Sequence, residues 1–332
     1  MSAEIHILQN QDQSRILRLE SMDVNARALL EASAFDGVEV MSSFGNIDQL
    51  APFQERIRWL FAPQLISPDG LVTLESLERI TFVGSQLGDA FDYRSLRNLK
   101  VFECGSAEEI PMRYLDHPSL EILNIAGANL KNFMPLKNAV ALRALLVENS
   151  KIKSLDGLGS FAQLRELRLL GERSLVDINE LAALRALEVL VVTSGLRLID
   201  LSPIRVLSAL RCLHIEAKSA EVPDIEFVTQ MPDLQTMHLW APVRTIDWRC
   251  IASHSSLCQI GLQLSSGGSF DSDETITAHF SAASRMVKTI TRFSGVRPQI
   301  KIEVEPPAGK RQMAGLGNNL RSLQTPLPHA RG

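Results

Sequence analysis

The chain has 332 residues, 45% of them apolar, 22% charged and 5% aromatic, with a formal charge of -4. That is enough chain for a sizeable core, aliphatic rather than aromatic, and the weakly acidic balance excludes a general affinity for nucleic acid or acidic lipid. Four cysteines without a Cys-x-x-Cys set no disulfide framework.

The opening residues MSAEIHILQNQDQS lack the basic start and apolar run of a secretory leader, and no apolar stretch approaches the roughly 18 residues that span a bilayer. The expectation is a reducing, cytoplasmic setting with no membrane attachment. Residues 22–34, MDVNARALLEASA, have helical character with Asp23 or Asn25 as the cap. Degenerate apolar pairs around them, at Leu17/Leu19, Val38/Val40 and Ile57/Trp59, make 1–60 an N-terminal cap with weak repeats.

From there a pattern Leu-x-x-Leu-x-Leu recurs. It falls on Leu77/Ile80/Phe82, Leu99/Phe102/Cys104, Leu120/Leu123/Ile125, Leu142/Leu145/Val147 and Leu164/Leu167/Leu169. It continues on Leu187/Leu190/Val192, Leu210/Leu213/Ile215, Leu234/Met237/Leu239 and Leu257/Ile260/Leu262, with successive middle residues 21 to 24 apart. A second column keeps the same register thirteen residues before each middle position: Ser67, Asp89, Ile110, Asn132, Ser154, Asp177, Asp200, Asp224 and Asp247. All but one are short polar residues that accept hydrogen bonds from the free N–H groups opening a helical turn. Each unit is therefore a short strand, a loop and a capped helical or 3₁₀ turn. One unit cannot bury both its sides, so the units must stack. Strands pack more closely than helical turns, which predicts an α/β solenoid, a horseshoe with a parallel sheet on its concave face and the turns on its convex face.

The segments IKSLDGLGSFAQLRELRL and LIDLSPIRVLSALRCLHI resemble leucine-rich repeats of the bacterial, internalin-like 22-residue type. The resemblance covers roughly 60–265 and implies protein binding. It departs from that family where an asparagine usually follows the last strand leucine by three residues. Here those positions read Ser85, Ala107, Ala128, Ser150, Glu172, Gly195, Lys218, Pro242 and Ser265, so the turn backbones must find other partners. Some effectors of this fold append a catalytic-cysteine ligase domain, but no cysteine follows the repeats.

Residues 61–265 are thus the repeats and 266–305 a C-terminal helix–strand cap. Its helix is expected from Asp273 to near Gly295 on the spacing Ile276, Phe280, Val287, Ile290, and its strand in PQIKIEVEP, with Ile300, Ile302 and Val304 on one face. The tail 306–332 carries Lys310, Arg311, Arg321 and Arg331 and no acid, and reads as disordered.

Positions flanking the inward strand pair face the concave side. Ile122, Ala144, Leu146, Leu170, Val189 and Val191 form an apolar run there, which marks a partner surface or a face for homo-oligomer formation. Further on, Cys212, His214 and Glu216 alternate on one strand beside His238 and Trp240 on the next, with Gly261 leaving room. This cluster has three readings: a solvated polar patch, a binding hot spot centred on Trp240, or a zinc site at Cys212, His214 and His238. The histidines also admit a pH-dependent contact. No phosphate loop, nucleophile elbow or HExxH is present. The expected function is a non-catalytic protein–protein interaction scaffold without cofactor or bound metal. It would use Ile122, Asn124, Leu146, Glu148, Arg168, Leu170, Val191, His214, Glu216, His238 and Trp240. The alternatives are an exported effector or toxin-neutralising protein of the same fold, and a metalloenzyme.

Overall fold

The computed structural model describes residues 3–7, 15–41, 44, 46–65, 69–85, 91–108 and 110–306. All but the first residue of the tail expected at 306–332, and the columns' Ser67 and Asp89, lie outside them. The chain forms two compact units, Met1–Ser150 and Lys151–Gly332.

The first unit contains β1 (Ala3–Ile7), β2 (Arg15–Leu19), α1 (Val24–Ala32), β3 (Gly37–Val40), β4 (Trp59–Leu65), β5 (Arg79–Ser85), β6 (Val101–Cys104), β7 (Ile122–Ala126) and β8 (Ala144–Glu148). The strands lie in chain order, β1 antiparallel to β2 and β2 to β8 all parallel. Two buried rows run across them. One is Leu17, Val38, Leu60, Ile80, Phe102, Leu123 and Leu145; the other includes Ala62, Phe82, Cys104, Ile125 and Val147. Helix α1 is capped by Asp23, whose carboxylate accepts the Ala26 N–H at 2.8 Å. The Ile57/Trp59 expectation is out of register. Leu60 and Ala62 point inward, and Trp59 shares a row with Arg79 on the open face. Ile57 is buried just before the strand begins.

The second unit contains β9 (Glu166–Leu170), β10 (Val189–Val192), β11 (Cys212–Glu216), β12 (Thr236–Val243), α2 (Trp248–Ser253), β13 (Gln259–Leu264), α3 (Asp273–Ala282), β14 (Val287–Phe293) and β15 (Gln299–Val304). Strands β9 to β13 are parallel. β15 then pairs antiparallel with β13, and β14 antiparallel with β15. Its rows are Leu167, Leu190, Leu213, Met237, Ile260, Ile302 and Leu169, Val192, Ile215, Leu239, Leu262, Ile300, every one buried. The apolar face of β15 thereby closes the row that the repeats leave open.

The expected helix to Gly295 stops at Ala282 instead. Ser284 takes a left-handed conformation (φ 57°), and the Arg285 N–H bonds back to the Phe280 carbonyl at 2.9 Å, a helix-ending turn. The β-branched residues Val287, Thr289, Ile290 and Thr291 then favour strand over helix.

The polar column does what its chemistry requires. The Asp177, Asp200, Asp224 and Asp247 carboxylates accept the N–H two residues on at 2.8, 2.8, 3.0 and 2.9 Å. The turn it opens is usually 3₁₀, as at 179–183, 202–206 and 226–230, and is α-helical only in α2. At the missing-asparagine position or one residue before it, main chain bonds to main chain. The N–H groups of Ala107 and Gly127 bond to the carbonyls of Ala126 and Glu148, both at 2.8 Å. In the second unit those of Glu172, Gly195 and Ala217 bond to Thr193, Glu216 and Trp240 at 3.3, 2.9 and 3.2 Å. Each carbonyl belongs to the next repeat, in its strand or just after it. Left-handed residues at these turns, Gly127, Gly171, Asn149 and Ser194, turn the chain out of its strand.

Candidate functional site

The open face of each sheet carries the alternate residues of the strands whose neighbours fill the core. On the first unit, register places Trp59, Arg79, Val101, Ile122 and Ala144 in one row, and Phe61, Thr81, Glu103, Asn124 and Leu146 in the next. The Arg79 guanidinium covers the Trp59 ring at 4.3 Å and donates to Glu103 at 2.8 Å, while the Thr81 hydroxyl donates to the same carboxylate oxygen at 2.8 Å. Arg18 and Glu39 pair at 2.6 Å. The charges of Arg18, Glu39, Arg79 and Glu103 are thus returned within this unit's open face. Beyond the ion pairs lie the expected residues Ile122 (39% exposed) and half-buried Asn124, Leu146 and Glu148.

The second unit's middle row reads Arg168, Val191, His214, His238, Gly261 and Lys301. His214 and His238 meet edge to face with centroids 5.5 Å apart, and His238 stacks on Trp240 at 5.9 Å. Both His238 and Trp240 lie over Gly261. A Cβ there would sit 2.8 Å from His238 Cδ2 and 2.9 Å from Trp240 Cη2. Lys301 Nζ stands 5.6 Å from the Trp240 centroid and 5.8 Å from that of Phe293, within cation–π range.

Glu216 is hydrogen-bonded by His214 (3.5 Å) and by the Ser194 N–H (3.2 Å), which hold its carboxyl below the ordinary carboxylate range against the opposing effect of burial. Burial first, then the charges of His214 and Lys301, holds the His238 pKa down at about 4, so its ring is neutral near pH 7. Burial pushes the Cys212 thiol up to about 11, and it stays protonated, a poor nucleophile and a poor metal ligand.

The sequence reading placed His214, Glu216, His238 and Trp240 together, and the structure brings them together. It corrects the assumption that every flanking position is wet. Val191 is 2% exposed and Arg168 4%, and Val189 and Cys212 are also buried. Val189, Val191 and Cys212 pack into one small cluster with Leu170 against it, because adjacent branched side chains on a parallel ladder shield each other. Arg168 survives burial by pairing with Glu166 on its own strand. The zinc alternative also loses its premise: among the described residues no three His, Cys, Asp or Glu side chains converge as ligands. Sequence reasoning missed Lys301 and Phe293 in this site. The alternation of PQIKIEVEP put Lys301 on a polar face, but nothing local said that this strand lies against Gly261.

These features define the fold as an internalin-like leucine-rich repeat solenoid. Among solved structures the chain is similar to a leucine-rich repeat protein of Leptospira interrogans, at 16% identity over 65% of this chain with a TM-score of 0.55. It is likewise similar to an internalin of Listeria monocytogenes, at 14% identity over 73% of this chain and 78% of that one with a TM-score of 0.54. The likeness spans 57% of the Leptospira chain, and at these identities it speaks for the fold alone. No family model and no curated protein matches the sequence. Among the described residues no helix is long and apolar enough to cross a membrane.

Proposed function

We propose that this chain is a non-catalytic, cytoplasmic scaffold that grips a partner protein on the open, concave side of its strands. The observation that carries this reading is the Trp240 platform: a stacked His238–Trp240 pair over Gly261, with Lys301 alongside. Tryptophan beside a cation is the composition of binding hot spots. On the first unit, exposed Ile122 with half-buried Ala144 and Leu146 forms a separate apolar area on that unit's open face. The buried Cys212 thiol, with its pKa pushed up to about 11, is a poor nucleophile, which favours the non-catalytic reading.

The test is affinity capture from native cells with the wild-type chain and with Leu146→Arg, His238→Arg and Trp240→Arg. The expected result is a defined partner retained by wild type and lost from the variants, each shown folded by circular dichroism. Undiminished recovery by all three variants overturns the face as the binding surface. A dimer in sedimentation that dissolves in the same variants would identify the partner as a second copy.

A further inference from the structure

The Trp240 platform has more donors than it has acceptors to meet them. Lys301 Nζ faces two rings and makes no ion pair among the described residues. A ring face attracts a cation but carries no net charge to cancel it. Gln263, two residues beyond Gly261 on β13, accepts from Gln299 Nε2 at 2.9 Å, while its own Nε2 is buried without a hydrogen-bond partner. The carboxylates of this face do not fill the gap. Glu166 pairs with Arg168, and Glu216 accepts from His214 and from the Ser194 N–H. Glu303 and Glu305 lie on the far side of Lys301 from Phe293, since Phe293 pairs with Gln299, Thr289 with Glu303, and the Glu305 N–H bonds to Met286. The ammonium leans towards the rings and away from both acids.

The rings flank Lys301 from opposite sides. Trp240 stands on β12 and Phe293 on β14, with β13 and β15 between them. Their centroids are 5.6 and 5.8 Å from the ammonium. On an extended chain, side chains two residues apart share one side and stand about 6.8 Å from each other. An acid with an apolar residue two places away on either side fits that spacing. Thr291, beside Lys301 on β14, is exposed, so the row is open beyond the cation. A chain can cross the strands here without ending, and a side chain rather than a terminus then meets Lys301.

We propose that the platform selects an extended partner segment of the pattern apolar–x–acid–x–apolar, its carboxylate on Lys301 and its two apolar side chains on Trp240 and Phe293. This rests on the reading of the open face as a binding surface and adds the chemistry of what is bound. The rings supply contact area, and the unpaired ammonium supplies the choice of acid over its neutral isostere.

The test uses the full chain and three labelled peptides. The first is Gly-Leu-Ser-Glu-Ser-Leu-Gly blocked at both ends, the second has glutamine for glutamate, and the third is the glutamine peptide with a free carboxyl terminus. Fluorescence anisotropy should show the glutamate peptide bound about tenfold more tightly than the blocked glutamine one. Lys301→Gln, shown folded by circular dichroism, should bind both at the weaker affinity. Equal binding of the two by the wild-type chain, no binding of the glutamate peptide, or a preference that survives Lys301→Gln overturns the proposal. Tightest binding of the third peptide overturns it in favour of a chain end. Partner capture that Trp240→Arg abolishes and Lys301→Gln leaves intact overturns this proposal alone, whereas capture that survives Leu146→Arg, His238→Arg and Trp240→Arg overturns the binding face beneath it.

Discussion

In the first unit Trp59 presses on Gly37 of the neighbouring strand and is covered by Arg79, whose charge is taken up by Glu103. In the second, His238 and Trp240 lie over Gly261, and the cation beside them, Lys301, is held over rings without an ion pair to a carboxylate among the described residues. Both sheets thus use a glycine to seat an aromatic side chain on an open face. One then pairs its arginine with a carboxylate, although the buried Trp59 indole N–H finds no hydrogen-bond partner, and the other leaves a neutral histidine, an indole and a cation without a carboxylate. A closed network offers a partner little that water does not already offer. The unspent group is where binding energy remains available.

Four measurements break or sharpen this contrast. The largest effect is a control on the shared architecture. Leu123→Ala and Leu190→Ala each remove a buried leucine flanked by apolar row neighbours on both sides. Each should cost about 2–5 kcal/mol in urea unfolding, and similar losses would show that the cores are equivalent and that only the faces differ. Next comes pH. Unfolded histidine takes up its proton near 6.5, while folded His238 does so only at about 4, so the unfolded state binds more protons across that window. Stability should therefore fall as pH drops from 6.5 towards 4, by up to about 3 kcal/mol. His238→Gln should flatten that part of the curve. His117, which burial also shifts downward, and Glu216, whose carboxyl takes up its proton at lower pH, contribute a residual slope of the same sign.

Third, the glycines are expected to differ. A Cβ on Gly37 would meet the Trp59 Cβ at 2.6 Å and its carbonyl oxygen at 2.9 Å, which can yield only by moving the strand. On Gly261 the nearest atoms are ring edges that can swing. Gly37→Ala should cost about 1–3 kcal/mol and Gly261→Ala clearly less, with a shifted tryptophan emission in the second case. The smallest effect is Glu103→Gln, about 1 kcal/mol, read from the same melts. A larger loss would mean that the first face depends on its ion pair for folding as well as for neutrality.

The repeat was legible because each inward leucine had to recur with the strand, and every residue of the predicted row from Leu123 to Leu213 is buried. Trp59 was misplaced because Ile57, which is buried ahead of the strand, imitates the pattern three residues early. The end of α3 was misread because Val287 and Ile290 continue a helical spacing that Ser284 interrupts through its backbone, which composition does not reveal. On the site, residues set by repeat register, His214, Glu216, His238 and Trp240, could be aligned by counting. Lys301 arrives on an antiparallel strand from outside the repeat, where counting has no purchase. The burial of Val191 and Arg168 escaped for a different reason: alternation assigns a side of the sheet, not the height of the neighbours standing there.

The bonds that replace the missing asparagine run from peptide N–H to peptide carbonyl, so they demand no particular side chain: alanine, glycine and glutamate all serve. The stitch between neighbouring coils is therefore indifferent to the lettering of the bend, except where the backbone itself is left-handed, as at Gly127 and Gly171.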